Sequence, residues 1–199
     1  MDNNLFVKDI YKNIYRVAQP YLMTRHNEIH TKIALEFSFK LIKLEGGDEE
    51  VIIPGVILHD TGWSAVPEEL QTSAFGPKAT RPELRDLHEE EGAKIAKLIL
   101  SNLGYPEAKT AAIVKIISRH DSGAFAESIE EAVIKDADKL WRYSADAQEV
   151  DPKRFSISVE ENITRLSEEL EGWFLTASGK RLALDELEAR KAALKVSAG

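Results

Sequence analysis

Apolar residues recur at helical spacing through most of this chain, and this pattern limits its fold more than any other feature. The apolar side chains follow i, i+3, i+4 spacing, which places them on one face of a helix. Helices are predicted over residues 24–45, 82–103 and 106–120, from Ser128 onward, and from Ser158 to about Lys195 with a break near Ser178-Gly179. We therefore predict an all-α fold.

Two segments are harder to interpret. Residues 51–58 form an apolar run whose length suits a buried strand, and Pro54 makes a long helix unfavourable. A short helix that starts near Pro54 is the competing interpretation. Residues 61–82 are interrupted by Pro and Gly, so we predict an extended loop there, with a short turn at residues 67–70.

A polar stretch around Asp146 and Asp151 separates the last two groups of helices. Any domain boundary is expected near residue 150. We predict that residues 1–150 form the main domain and that residues 151–199 form a helical extension packed on it.

Composition excludes several functional classes. The 199 residues include 34 Asp and Glu, 26 Lys and Arg, and no Cys, for a net charge of −8. Without Cys there is no disulfide, thiolate zinc site or Cys nucleophile. The acidic balance argues against binding to nucleic-acid polymers or anionic membranes. The sequence shows no apolar run of 18 residues and no signal-peptide pattern, so we expect a cytoplasmic protein.

Four of the five histidines fall on apolar helix faces. They are His30, His59, His88 and His120, and Asp138 lies between Ile134 and Trp141 in the same manner. A single histidine in such a place is usually a satisfied core residue. Burying five polar groups without partners would cost about 1–3 kcal/mol each, so a shared metal ion is the simplest joint partner.

The dipeptide His59-Asp60 sharpens this prediction. Adjacent residues of a helix point about 100° apart, so both can face one site only near a helix end or bend. The following Thr61-Gly62 is typical of such an end. A carboxylate at this place has two oxygens and could bridge two ions.

The ordered set resembles the HD-domain metal-dependent phosphohydrolase superfamily, over roughly residues 24–142. The matching motifs are Val56-Ile57-Leu58-His59-Asp60-Thr61-Gly62, His88-Glu89-Glu90-Glu91-Gly92-Ala93 and Lys135-Asp136-Ala137-Asp138-Lys139-Leu140. The segment His26-Asn27-Glu28-Ile29-His30 and the Gly179-Lys180-Arg181-Leu182-Ala183 segment resemble those of a small bacterial subgroup. Many relatives carry Lys where this chain has Trp63, which puts in doubt any mechanism that uses that Lys.

The resemblance implies an HD-domain helical bundle with a central metal site. His30, His59, Asp60 and Asp138 would hold a first metal, with Asp60 bridging to a second ion on His88 and His120. Imidazole and carboxylate ligands suit Mn, Fe, Zn, Ni or Co, one or two ions, and suit Mg less well. Asp60 and Asp121 are the candidate catalytic carboxylates, although Asp121 also suits a helix cap.

Five further residues are candidates for substrate binding. They are His26, Arg25, Lys139, Arg142 and Trp63, chosen because they lie beside site residues in the sequence. The alternative for His26 is a solvated residue at a helix start, and the alternative for the cations is an ordinary surface role. Trp63 equally suits hydrophobic anchoring.

The resemblance implies hydrolysis of a small phosphate ester, with nucleotides as one candidate class, by a metal-activated water. An HD-type di-iron oxygenase with the same ligands is the first alternative, and a non-catalytic metal-stabilised regulatory module is the second. The expected partner is a small phosphorylated substrate, and a homodimer is left open.

Overall fold

The computed structural model describes residues 8–24, 27–77 and 79–197, and within these ranges the chain is helical with no strand. The all-α prediction is confirmed. The helices are α1 (Asp9–Leu22), α2 (Asn27–Glu45), α3 (Glu49–Leu58), α4 (Glu68–Gln71), α5 (Glu83–Asn102), α6 (Glu107–Ile117), α7 (Ile129–Leu140), α8 (Ala145–Phe155), α9 (Val159–Trp173) and α10 (Ala177–Ser197), with 3₁₀ helices at Thr61–Ala65 and Trp141–Tyr143. No helix in these ranges is both long and apolar enough to cross a membrane.

The apolar run at 51–58 is a helix, so the strand interpretation was wrong. The Asp48 side chain accepts a hydrogen bond from the Glu50 backbone N–H, and α3 therefore starts five residues before Pro54. All residues from Val51 to Leu58 are buried because α1, α2, α6 and α7 surround α3. A helix buried on every side shows no amphipathic pattern, which is why its sequence resembled a buried strand.

The segment after Asp60 is more ordered than the predicted loop. It forms the 3₁₀ helix Thr61–Ala65 and then the single turn α4, and the 3₁₀ helix packs against α5. This packing depends on Gly62, where a Cβ atom would lie 1.9 Å from the His88 carbonyl oxygen. The extended-loop prediction was wrong for residues 61–65, and the short turn predicted at residues 67–70 corresponds to α4.

The polar stretch around Asp146 is also helical, as α8. Asp151 is fully buried and accepts hydrogen bonds from Arg142 and Arg154, each at 3.1 Å. The predicted break in the last helical segment lies earlier than expected, between α9 and α10 at residues 174–176. Residue 150 falls inside α8, and the division into 1–150 and 151–199 stays a prediction.

The core lies around α3, and the site residues extend from the elements that surround it. α2 packs on α3 and α7, α6 packs on α3 and α5, and α10 packs on α9, α7 and α2. Leu87 and Leu98 of α5 are 37% and 56% exposed. The buried face of α5 includes the small residues Gly92, Ala93 and Ala96, which let the middle of α5 approach its neighbours closely.

Candidate metal centre

Five elements bring the predicted ligands to one place. His30 lies in α2, His88 in α5 and Asp138 in α7. His59 follows the last residue of α3, and His120 lies in the turn after α6. The four histidines are buried, with exposures between 0% and 6%. The prediction that His59-Asp60 lies at a helix end is confirmed.

One group of ligand atoms comprises His30, His59 and Asp138. His30 Nε2 lies 2.9 Å from His59 Nε2 and 3.2 Å from Asp138 Oδ1, and His59 Nε2 lies 3.5 Å from the same oxygen. Ligand atoms bound at about 2.1 Å to one ion, at angles near 90–110°, would lie about 3.0–3.5 Å from each other. The separations in this group therefore match a shared ion.

A second group comprises His88, His120 and Asp121. The two Nε2 atoms lie 3.2 Å apart, and His88 Nε2 lies 3.6 Å from Asp121 Oδ2. Asp60 lies between the groups, with Oδ2 3.6 Å from His30 Nε2 and Oδ1 3.9 Å from both His88 Nε2 and His120 Nε2. Asp60 is therefore placed to serve both groups.

The hydrogen bonds of the Nδ1 atoms determine which ring nitrogen of His59 and of His120 is free to bind a metal ion. His59 Nδ1 donates to the Val56 carbonyl oxygen and His120 Nδ1 donates to that of Ile117, each at 2.8 Å. In neutral rings Nε2 of His59 and Nε2 of His120 then carry lone pairs, and these face Nε2 of His30 and of His88 and the carboxylate oxygens. Imidazole lone pairs that converge with carboxylate oxygens are the donors that a divalent metal ion binds, so the donor set fits such an ion.

The pKa values of His120 and Asp138 also favour positive charge at this centre. Burial disfavours the charged form of His120, yet the hydrogen bond to Asp60 and the charges of Asp121 and Asp138 raise its pKa to about 10. Burial also favours neutral Asp138, yet hydrogen bonds from His30 and His59 hold its pKa well below the usual range. Burial lowers the pKa of His30. The centre thus keeps the Asp138 carboxylate ionised, which favours a cation beside it.

Buried polar groups hold the ligand-bearing turns in place. Glu89 accepts hydrogen bonds from the backbone N–H groups of Asp121 and Ser122, at 2.7 and 2.9 Å. Lys135, in α7, donates to the carbonyl oxygens of Gly123 and Phe125 in the same turn. The turn that carries His120 and Asp121 is therefore fixed from α5 on one side and from α7 on the other.

Trp63 supports the centre from its position after Asp60. Its indole stacks on His88 with ring centroids 4.1 Å apart, and its Nε1 donates to Asp60 Oδ1 at 3.0 Å. Only 2% of Trp63 is exposed. Its ring therefore orients two of the predicted ligands and offers little free surface to a substrate.

The centre opens into a cavity of about 350 Å³. His30, Asp60, Asp121 and Asp138 line it together with Trp63. Four cationic side chains share the cavity wall: Arg85, Lys139, Arg142 and Arg165. The outer part of the wall contains Phe75, Glu169 and Trp173.

The structure places most of the predicted substrate-binding residues at this cavity. Lys139, Arg142 and Trp63 line it, whereas Arg25 and His26 lie outside the described residues. Sequence reasoning missed Arg85, although it precedes His88 by three positions and so shares its helix face. It also missed Arg165 and Glu169, for which the sequence offers only an i, i+4 charge pair on a distant helix.

Asp136, two residues before Asp138, contributes to the fold rather than to the two ligand groups. Asp136 is fully buried and accepts hydrogen bonds from the backbone N–H groups of Leu175 and Thr176 and from the Thr176 hydroxyl. Gly179 packs directly against its carboxylate, where a Cβ atom would lie 2.3 Å from Oδ2. Asp136 thus anchors the start of α10 to the helix that carries Asp138.

Comparisons with known proteins agree with this geometry. The family model described as HD domain matches residues 27–143, more than half of the chain and the span of all six predicted ligands. No curated protein matches the sequence significantly. A crystal structure described as a predicted HD superfamily hydrolase from an uncultured Thermotogales bacterium aligns with a TM-score of 0.63 and 20% identity. The alignment covers 92% of this chain and 88% of that one, and this likeness shows the fold. The chain therefore belongs to the HD domain family, whose members bind divalent metal ions, and its His and Asp groups could hold such ions.

Proposed function

We propose that this protein is a metal-dependent phosphohydrolase that cleaves a small phosphate ester, with nucleotides as one candidate class. The observation that carries the proposal is the joining of an imidazole–carboxylate centre to a cavity with four cationic side chains. Such a wall favours an anionic substrate, and the cavity of about 350 Å³ suits a small molecule rather than a polymer. The description of the Thermotogales protein as a predicted hydrolase agrees with this proposal.

The residues assigned to the metal are Asp60 and the five residues of the two ligand groups other than Asp121. His30, His59, Asp60 and Asp138 would hold a first ion, and His88 and His120 would hold a second that shares Asp60. Mn, Fe, Zn, Ni and Co suit these ligands better than Mg does. When bound, such ions supply a water acidic enough to attack at neutral pH and offset negative charge on phosphoryl oxygens.

The chain's own polar groups provide the remaining functions. Arg142 is held by the buried Asp151 and directs a guanidinium to the cavity, where it can bind phosphoryl oxygens. Lys139 is tied to the Trp173 carbonyl oxygen at 3.1 Å and adds a second positive charge. Asp121 is partly exposed beside His88, so its carboxylate can accept or return a proton at the cavity surface.

The experiment that tests this function is a phosphatase screen with a metal analysis. Protein purified without chelator is assayed for phosphate release from a panel of phosphate esters with each of the five metals. We expect release by the wild type, and a loss of about 100-fold or more in Asp138→Asn together with reduced metal content. The matched control is Asp146→Asn, an exposed aspartate of α8, which should behave as the wild type.

Two results would overturn the proposal. One is the absence of phosphate release with every metal although the protein holds stoichiometric metal. The other is iron-dependent consumption of O₂ with an organic substrate, which would identify the oxygenase alternative. Metal binding without either activity would favour the regulatory module.

A further inference from the structure

Three of the four cavity cations have partners in the protein. Arg142 forms an ion pair with Asp151, Lys139 donates to a backbone carbonyl oxygen, and Arg165 pairs with Glu169 at 2.9 Å. These contacts hold each charge in place and satisfy part of its hydrogen-bonding capacity. The protein itself therefore partly neutralises these three charges and accepts some of their hydrogen bonds.

Arg85 differs from the other three. Within the described ranges its side chain has no hydrogen bond or ion pair, and its Nε atom is buried without an acceptor. A guanidinium stays charged at all accessible pH values and has five N–H donors to satisfy. The buried Nε–H lacks an acceptor within the described ranges, so an anion that supplies one would bind favourably here.

The position of Arg85 shows where such an anion would bind. Arg85 lies in the first turn of α5, three residues before His88, so both side chains extend from the same face of the helix. Both Arg85 and Asp121 line the cavity, and Asp121 belongs to the ligand group of His88 and His120. An anion that contacts Arg85 inside this cavity is therefore adjacent to the metal centre.

We propose that Arg85 binds the phosphoryl group of the substrate through paired N–H···O hydrogen bonds from its guanidinium. The planar fork of this group matches two oxygens of one phosphoryl group, which an ammonium cannot do. This inference rests on the proposed phosphohydrolase function. It adds a substrate-contacting residue that none of the ligand motifs contains.

The test measures binding of inorganic phosphate to the metal-loaded protein by isothermal titration calorimetry. Arg85→Gln should raise the Kd for phosphate roughly 10- to 100-fold, the loss that follows from removing charge-assisted hydrogen bonds. Arg85→Lys should give an intermediate Kd, because the charge remains and the fork is lost. Arg81→Gln is the matched control, since Arg81 is exposed and paired with Glu83 outside the cavity. Metal content and helical circular dichroism should equal those of the wild type in all three variants.

The outcomes separate this inference from the proposed function. An Arg85→Gln protein that binds phosphate like the wild type, or a wild type that does not bind phosphate, would overturn the role of Arg85. Phosphate binding that depends on Arg85, combined with no cleavage of any ester, would overturn only the phosphohydrolase function. If Arg85→Gln fails to fold, the folded Arg85→Lys decides, because wild-type affinity there would also contradict the paired hydrogen bonds.

Discussion

Gly62 determines how closely the segment after Asp60 can approach α5. A Cβ atom at this position would lie 1.9 Å from the His88 carbonyl oxygen and 2.4 Å from the Gly92 backbone nitrogen. Both neighbours are backbone atoms, so a side-chain rotation cannot relieve the clash. Gly62, two residues after Asp60, thus couples the position of Asp60 to that of His88.

We expect Gly62→Ala to destabilise the fold by at least about 3 kcal/mol, because α5 and the 3₁₀ helix must separate. Chemical denaturation and metal analysis would measure the loss of stability and of bound metal. Gly172→Ala is the matched control: no atom lies within 4 Å of its Cβ, and alanine favours α9. Its stability should stay unchanged or rise by up to about 1 kcal/mol. Equal stability of the two variants would contradict this account.

The residues of the centre differ in how far the sequence predicts them. His30, His59, His88 and His120 were placed correctly in the interior because a histidine among apolar residues at helical spacing stands out. Arg85 was missed because a cation near the start of a helix normally lies in solvent. Its significance depends on the absence of a nearby acceptor in the described chain, and this is a property of the folded structure.

At the scale of helices, the connection between α7 and α10 depends on Asp136. One of its oxygens accepts from the Leu175 backbone N–H at 2.8 Å. The other accepts from the backbone N–H and the hydroxyl of Thr176 at 2.9 and 2.7 Å. A carboxylate can accept all three hydrogen bonds, whereas an amide has only one oxygen and turns its NH₂ group toward at least one donor.

We expect Asp136→Asn to destabilise the protein by about 1–3 kcal/mol and to release the start of α10. Urea denaturation would give the change in stability, and limited proteolysis should cleave the chain faster near residues 174–180. Asp185→Asn tests the same chemical change at an exposed position of α10 and should have no effect. Cleavage at the same rate in both variants would show that Asp136 does not anchor the helix.

Two helices show why the elements were predicted less well than the fold class. α3 is surrounded by other helices, so its sequence is apolar at every position and loses helical periodicity. α8 contains the buried Asp151, which pairs with Arg142 in the preceding 3₁₀ helix and with Arg154 one turn later in α8. For α3, burial is decided by helices distant in sequence, which local spacing does not record.

At the scale of the whole molecule, the centre joins parts of the chain that are far apart in sequence. Its predicted ligands come from α2, from the ends of α3 and α6, and from α5 and α7, between residues 30 and 138. A metal ion bound only by the folded state stabilises it by about 2.7–4.1 kcal/mol at 100–1,000 times its Kd. Without that ion, the folded state loses this contribution.

Removing the metal should therefore lower the melting temperature of the whole protein by about 5–15 °C, with full recovery when the metal is restored. Differential scanning calorimetry before and after chelation would measure the shift. Asp138→Asn, which weakens one ligand group, should show a smaller difference between its metal-loaded and chelated forms. A wild-type melting temperature that does not respond to chelation, in protein shown to lose its metal, would mean that the helices alone determine the stability of the fold. A shift that is larger in the wild type than in Asp138→Asn would instead link the stability of these five elements to the ion that their residues share.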